Sequence, residues 1–319
     1  MKKSKLIGCF CIVLLLSVGP VLGGTFTIPD WVMKSCVFVM KGDKAEGTGF
    51  LIGVKEQERT FCYFITAKHV ILPALQNIPV LHLRLNKKDG SGAEIISFPM
   101  IGFNSKPWIE HSNPAVDIAI APLAIFDKIQ NYDVQMHTVA SATDDLFATK
   151  SFIQRFKIRP GDSAFSLGLV PYLFSKDGEN LVLSRSGTIS MVGTKELNLP
   201  GGKQIAHFLD CAAFGGQSGG PAFVLLERNE EGALIVGWRI GLLGVVTEFV
   251  PSPLRSAKVI LTEEEKKEAL IPIENTGISK VVPVDYIVDL LFSQEQKDFR
   301  KKIVDEQNKI SNKPSEATR

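Results

Sequence analysis

Phe214-Gly215-Gly216-Gln217-Ser218-Gly219-Gly220-Pro221-Ala222 sets one serine among four glycines and closes the run with a proline. Glycine admits backbone conformations that other residues resist and lets another chain approach the main chain closely. A loop of this make-up can turn Ser218 Oγ outward while its own N–H groups face a developing oxyanion. Most Gly-rich runs are plain turns between strands. Two stretches upstream point further. Phe64-Ile65-Thr66-Ala67-Lys68-His69-Val70 puts a histidine at the end of an apolar, β-branched run. Ala115-Val116-Asp117-Ile118-Ala119-Ile120 embeds one carboxylate in an otherwise apolar strand. A base, an orienting acid and a nucleophile thus occur in the order His69, Asp117, Ser218.

That order excludes one rival. Gly216-Gln217-Ser218-Gly219-Gly220 also satisfies G-x-S-x-G, the nucleophile elbow of α/β-hydrolases, a fold that places its histidine after the serine. All five histidines here precede Ser218. An aspartate among apolar residues must find a partner, because an unpaired buried charge is expensive. The remaining histidines, His82, His111, His137 and His207, read as structural residues.

The 319 residues are 45% apolar and 22% charged, enough for a sizeable folded core. Met1-Lys2-Lys3-Ser4-Lys5 is basic, Leu6 to Val18 is apolar, and Val21-Leu22-Gly23 offers small residues for cleavage before Gly24. Residues 1–23 are therefore expected to be a cleaved export signal, with no stable membrane insertion afterwards and a periplasmic or extracellular destination. Losing Lys2, Lys3 and Lys5 takes the basic count from 36 to 33 against 34 acids, a balance that argues against nucleic-acid partners. Cys36, Cys62 and Cys211 remain, an odd set that allows one disulfide at most. Their spacing with the histidines suggests no metal site, and no cofactor is expected.

Short strands punctuated by turn residues run through both halves of the chain, and no strand alternates with a long helix as a parallel α/β sheet requires. Two sets of about six strands predict two small barrels or sandwiches. Asn131 to Lys150 is polar and reads as a link between the halves. Leu261 to Leu270 has the charge order of a short exposed helix. Tyr286 to Phe292 predicts a docked C-terminal helix, with a looser tail beyond.

On these residues the chain resembles the trypsin-like, chymotrypsin-fold serine endopeptidases, most closely their bacterial HtrA-type branch. Gly47-Thr48-Gly49-Phe50-Leu51-Ile52 is similar to that branch's opening strand, Thr66-Ala67-Lys68-His69-Val70 to its histidine motif, and Asp117-Ile118-Ala119 to its aspartate motif. Asp210-Cys211-Ala212-Ala213 through Gly216-Gln217-Ser218-Gly219-Gly220-Pro221 is similar to its serine motif, and Thr276-Gly277-Ile278 with Val281-Val282-Pro283-Val284 to its closing strand. The resemblance implies an all-β fold of two six-stranded β-barrels with a C-terminal α-helix. The protease domain would span residues 24–292, in halves at about 32–135 and 150–284, followed by a charged tail at 293–319. The 28 residues after Leu291 are too few for the PDZ domain usual in that branch.

The resemblance also implies chemistry. Ser218 attacks a peptide carbonyl, His69 carries the proton, Asp117 orients the imidazole, and the N–H groups of Gly216 and Ser218 bind the oxyanion. The substrate is a protein or peptide. Gln217 stands where trypsin-like zymogens carry an aspartate that pairs with a new N-terminus, so that activation route is not expected. Ala212, six before the serine, offers no carboxylate for Arg or Lys at the cleaved position. Val245, Val246 and Thr247 would form one wall of the substrate pocket and suggest an apolar preference. The reading from another class is a catalytically silent trypsin-fold protein that binds peptides or partner proteins; a third is an esterase using the same triad.

Overall fold

A computed structural model describes residues 26–72, 80–99, 108–123, 129, 131–199, 201–253 and 273–311. The expected export signal, the helix expected at Leu261 to Leu270 and the last residues of the tail lie outside them. The first half runs α1 (Asp30–Lys34), β1 (Cys36–Lys41), β2 (Lys44–Glu56), β3 (Arg59–Thr66), α2 (Lys68–Ile71), β4 (Val80–Asn86), β5 (Ala93–Pro99), β6 (Ile109–Glu110), β7 (Ala119–Leu123) and β8 (His137–Val139). The second runs α3 (Lys150–Arg155), β9 (Ser163–Phe174), β10 (Asn180–Met191), β11 (Leu197–Leu199), β12 (Gly202–Gln204), β13 (His207–Asp210), β14 (Pro221–Arg228), β15 (Leu234–Pro253), β16 (Ile273–Pro283), α4 (Val284–Leu291) and α5 (Gln294–Ser311).

Pattern explains the central strands. In β4, Leu81, Leu83 and Leu85 are buried while the residues between them are only partly covered, the period of two that a half-buried strand imposes. β2 is buried without a break from Gly47 to Val54, as a strand covered on both faces must be. At Gly49 the Phe64 ring of the neighbouring strand β3 occupies the space a Cβ would need.

The two halves close differently. In the second, β10-β13-β16-β15-β14-β9 form a closed barrel, as expected. Among the described residues the first is a sheet of eight strands. Its strands run β5-β4-β1-β2-β3-β7-β6, with β8 added beside β2, and among the described residues the path stays open between β5 and β6. Asn131 to Lys150 is also more than a link. It carries β8, paired in parallel with β2 from Ile52↔His137 to Val54↔Val139, and ends at the first residue of α3.

The hydrophobic core is continuous across both halves. It joins Phe50, Phe64, Ile65 and Ile120 of the first to Phe165, Phe223, Val245 and Val282 of the second. α4 begins after Pro283, whose extended backbone stops β16, and it buries Val284, Ile287, Leu290 and Leu291 in the same core. Each such side chain contributes about 1.5–3 kcal/mol. The tail beyond Phe292 is not loose over most of its length. α5 buries Gln296, Phe299, Arg300 and Val304, the spacing of one helix face. Arg300 Nη1 donates to Tyr63 Oη (3.1 Å) and to the Leu291 carbonyl (2.8 Å), and Nε donates to Glu56 Oε2 (3.2 Å). Tyr63 Oη in turn donates to Gln296 Oε1. The charged run that reads as solvated tail therefore fastens α5 to β2 and β3.

Candidate active site

β3 ends at Thr66, and the chain turns at once into the single helical turn of α2, which carries His69 at its exposed face. Asp117 lies just before β7 rather than inside it. The loop that delivers it is folded by Asn113, whose Oδ1 accepts the Ala115 N–H (3.0 Å) and whose carbonyl accepts the Val116 N–H (3.1 Å). His111 Nδ1 accepts the Asn113 N–H (3.0 Å), and Lys68 Nζ donates to the Pro114 carbonyl (2.8 Å). Histidine turn and aspartate loop are thus tied before their functional side chains meet.

They meet at two points. Asp117 Oδ2 lies 2.7 Å from His69 Nδ1, and Asp117 Oδ1 accepts the His69 backbone N–H at 2.9 Å. Burial works to raise the Asp117 carboxyl. The His69 ring and backbone N–H, with the Lys280 charge, outweigh it and hold Asp117 below the usual carboxylate range. An ionised Asp117 accepts from Nδ1–H, which leaves Nε2 as the basic nitrogen of a neutral imidazole. Lys280 is itself buried and ion-paired with Glu248.

The serine loop is a tight turn held by its own residues. Gln217 N–H donates to the Phe214 carbonyl (3.1 Å), Gln217 Oε1 accepts the Phe214 N–H (2.9 Å), and the Gln217 carbonyl accepts from Gly220 N–H (3.0 Å). Gln217 is buried, seated over Gly168, where a Cβ would press on its side chain. An uncharged side chain thus braces this loop. Gly219 N–H donates to the Val246 carbonyl and Val246 N–H to the Gly220 carbonyl, which stitches the loop to β15. Gly219 has φ +90°, and a Cβ there would collide with the Thr48 carbonyl, so the position requires glycine.

Ser218 Oγ donates to the Thr247 carbonyl at 3.0 Å, and among the described residues no hydrogen bond joins it to His69. The structure brings His69 and Asp117 together and turns Ser218 toward β15. The N–H groups of Gly216 and Ser218 donate to no acceptor among the described residues, so both remain available to a ligand oxygen. Thr247 falls where the β15–β16 register slips between Val246↔Val281 and Glu248↔Lys280. A bulge of this kind re-aims backbone groups that a regular ladder would consume.

Val245 and Val246, expected in the pocket wall, are 0% and 2% exposed, and each packs in one of two hydrophobic clusters. Thr247 is buried and offers its carbonyl, while Ala212 is partly exposed. The exposed apolar group beside the serine is Phe214, 45% exposed, with the Arg185 guanidinium 4.4 Å from its ring centroid. Sequence reading assigned Phe214 no role, although it opens the glycine run. The other histidines are all engaged: His82 with Ser97, His111 with Asn113, His137 with Trp31, and His207 Nδ1 with the Gly193 N–H.

No family model and no curated protein matches the chain. Among solved structures it is similar to the apo MamO protease domain from Magnetospirillum magneticum, at 16% identity over 81% of this chain and 96% of that one, with a TM-score of 0.43. The active form of the Rv3671c protease from M. tuberculosis is 15% identical over 82% of this chain and 80% of that one, with a TM-score of 0.43. The HtrA-type protease AlgW with a decapeptide is 13% identical over 86% of this chain and 66% of that one, with a TM-score of 0.40. Likenesses at this identity and TM-score leave the chemistry to the geometry of the site itself.

Proposed function

We propose that the chain is an exported serine endopeptidase with His69, Asp117 and Ser218 as its triad and the Gly216 and Ser218 N–H groups as its oxyanion donors. The observation that carries this reading is the two-point bond from Asp117 to His69, which fixes ring position and tautomer together. Ser218 Oγ leaves the Thr247 carbonyl for His69 Nε2 as substrate arrives, gives up its proton and attacks the peptide carbonyl. His69 passes that proton to the departing amine. Water, deprotonated by His69, then hydrolyses the acyl-enzyme, and the proton returns to Ser218. Losing one oxyanion donor from such a site costs about 2.7–4 kcal/mol of transition-state stabilisation. The apolar stretch at Leu6 to Val18 after a basic start supports export, and a mature N-terminus other than one near Gly24 would remove that part.

One observation favours a second reading, a catalytically silent protein that binds peptides in the same cleft: the serine hydroxyl rests on Thr247 and not on the imidazole. A fluorophosphonate probe separates the two. Labelling lost in Ser218→Ala and sharply reduced in His69→Ala supports the enzyme. Folded wild-type protein that neither labels nor cleaves a proteome-derived peptide library supports the binder.

A further inference from the structure

We propose that Thr48 is a positioning residue for the oxyanion loop, reaching across from the first half of the molecule to fix the carbonyls of both donor residues. This rests on the endopeptidase reading. Thr48 lies in β2 and is fully buried. Its N–H donates to the Ser218 carbonyl at 2.9 Å, and its Oγ1 donates to the Gly216 carbonyl at 2.6 Å. The same Oγ1 accepts the Leu169 N–H at 3.0 Å, and the Thr48 carbonyl accepts from Thr66 Oγ1 at 2.7 Å. One residue therefore holds Gly216 and Ser218 from outside the loop, and it is in turn held from β3 and β9. Among the described residues, no other donor reaches either carbonyl.

The hydroxyl sits where the loop most needs it. Gly216 has φ +94° and follows Gly215, so the backbone there resists rotation little. Each peptide unit moves as a plane, so holding the Gly216 carbonyl holds the Gln217 N–H and holding the Ser218 carbonyl holds the Gly219 N–H; Thr48 thereby fixes the two planes that flank the Ser218 N–H. Gln217 braces the loop from within, by holding Phe214. Among the described residues, the loop's hydrogen bonds to the half that carries His69 and Asp117 all come from Thr48. The register of base and acid against the oxyanion donors then passes through one residue, by its N–H to Ser218 and its hydroxyl to Gly216. Valine matches threonine in shape and lacks the hydroxyl, so it frees the Gly216 carbonyl and strands the Leu169 N–H, while serine keeps both bonds.

The test compares Thr48→Val and Thr48→Ser with wild type by hydrogen exchange of the peptide spanning 214–220 and by kinetics per titrated active site. In Thr48→Val the loop exchanges faster, and kcat falls by about ten- to a hundredfold, short of the 10²–10³ for removing a donor outright. KM changes little, and affinity for a peptide aldehyde falls with kcat, since the aldehyde adduct carries the oxyanion. Thr48→Ser stays near wild type in all of these. Thr48→Ala carries the same expectations as valine should the valine variant fail to fold. Unchanged loop exchange in Thr48→Val overturns the proposal, as does a variant that is merely less stable, with fewer titratable sites but wild-type kcat at each. An inactive, unlabelled wild type sinks the endopeptidase reading instead, and the exchange comparison still decides whether Thr48 sets the loop.

Discussion

The two halves of this molecule solve the problem of sheet edges in opposite ways. The second closes its six strands into a barrel and leaves no edge within it. Among the described residues the first leaves its strand path open, and it is covered from the far end of the chain, by α4 in its core and by α5 through Arg300 on β2 and β3. The self-contained half carries Ser218, on a loop braced by Gln217. The dependent half carries His69 and Asp117. The nucleophile thus stands on a frame that needs little help, whereas the base and acid stand on one whose geometry depends on residues far along the chain.

Breaking the line where the halves meet should have the largest effect. Gly219→Ala forces a Cβ against the Thr48 carbonyl at φ +90° and should lower kcat by on the order of 10²–10³-fold, as loss of an oxyanion donor does. Steady-state kinetics per titrated site would check it, and near-wild-type turnover would mean the loop tolerates displacement. Next is the clamp on the first half. Arg300→Ala removes a buried guanidinium from the partly exposed Glu56 and leaves the buried Leu291 carbonyl without its donor, a loss of about 1–3 kcal/mol in urea unfolding. If the halves differ as described, alkylation of Cys62 in β3 should rise in this variant well before that of Cys211 beside the barrel. Simultaneous exposure would show that they open as one unit.

The second half has its own weak point, in pH. Burial pushes His207 down to about 4, below its ordinary 6.5. Between those values the unfolded chain binds a proton that the native state refuses, so stability is lost as pH falls from about 6.5 to about 4. The loss is about 3 kcal/mol at roughly 1.4 kcal/mol per unit. Unfolding midpoints from pH 7 to pH 4.5 should show this slope in wild type and a flatter one in His207→Phe. The Asp117 shift acts lower still: a depressed carboxylate adds stability above its unfolded value and loses it only as pH falls through the folded one. The smallest effect is on thiols. Cys36 and Cys62 are pushed by burial up to about 12, so iodoacetamide at pH 8 should leave both unmodified in native protein.

Much of this was readable from the chain because the informative signals are local. A histidine at the exit of a β-branched run, a carboxylate among apolar residues and a serine among glycines each announce themselves within ten residues. The strands β1 to β5, β9, β10 and β13 to β16 show in the same way, as short apolar runs punctuated by turn residues. What stayed hidden depends on partners distant in sequence. Thr48 reads as one more polar residue in a strand, and its role exists only once Gly216 and Ser218 lie against it. Arg300 reads as tail charge because its partners, Glu56 and Tyr63, belong to the other end of the chain. β8 is three residues long, too short for any period to register.

Glu56 and Arg300 are 244 positions apart, and the bond between them has a consequence for how the molecule is made. A ribosome releases β2 and β3 long before it reaches α5, and contacts of such separation form late. Until the final helix emerges, the surface meant for Gln296, Phe299 and Arg300 faces solvent, whatever the rest of the chain has achieved. A stalled or truncated product would keep that surface bare and present itself to quality control as unfinished.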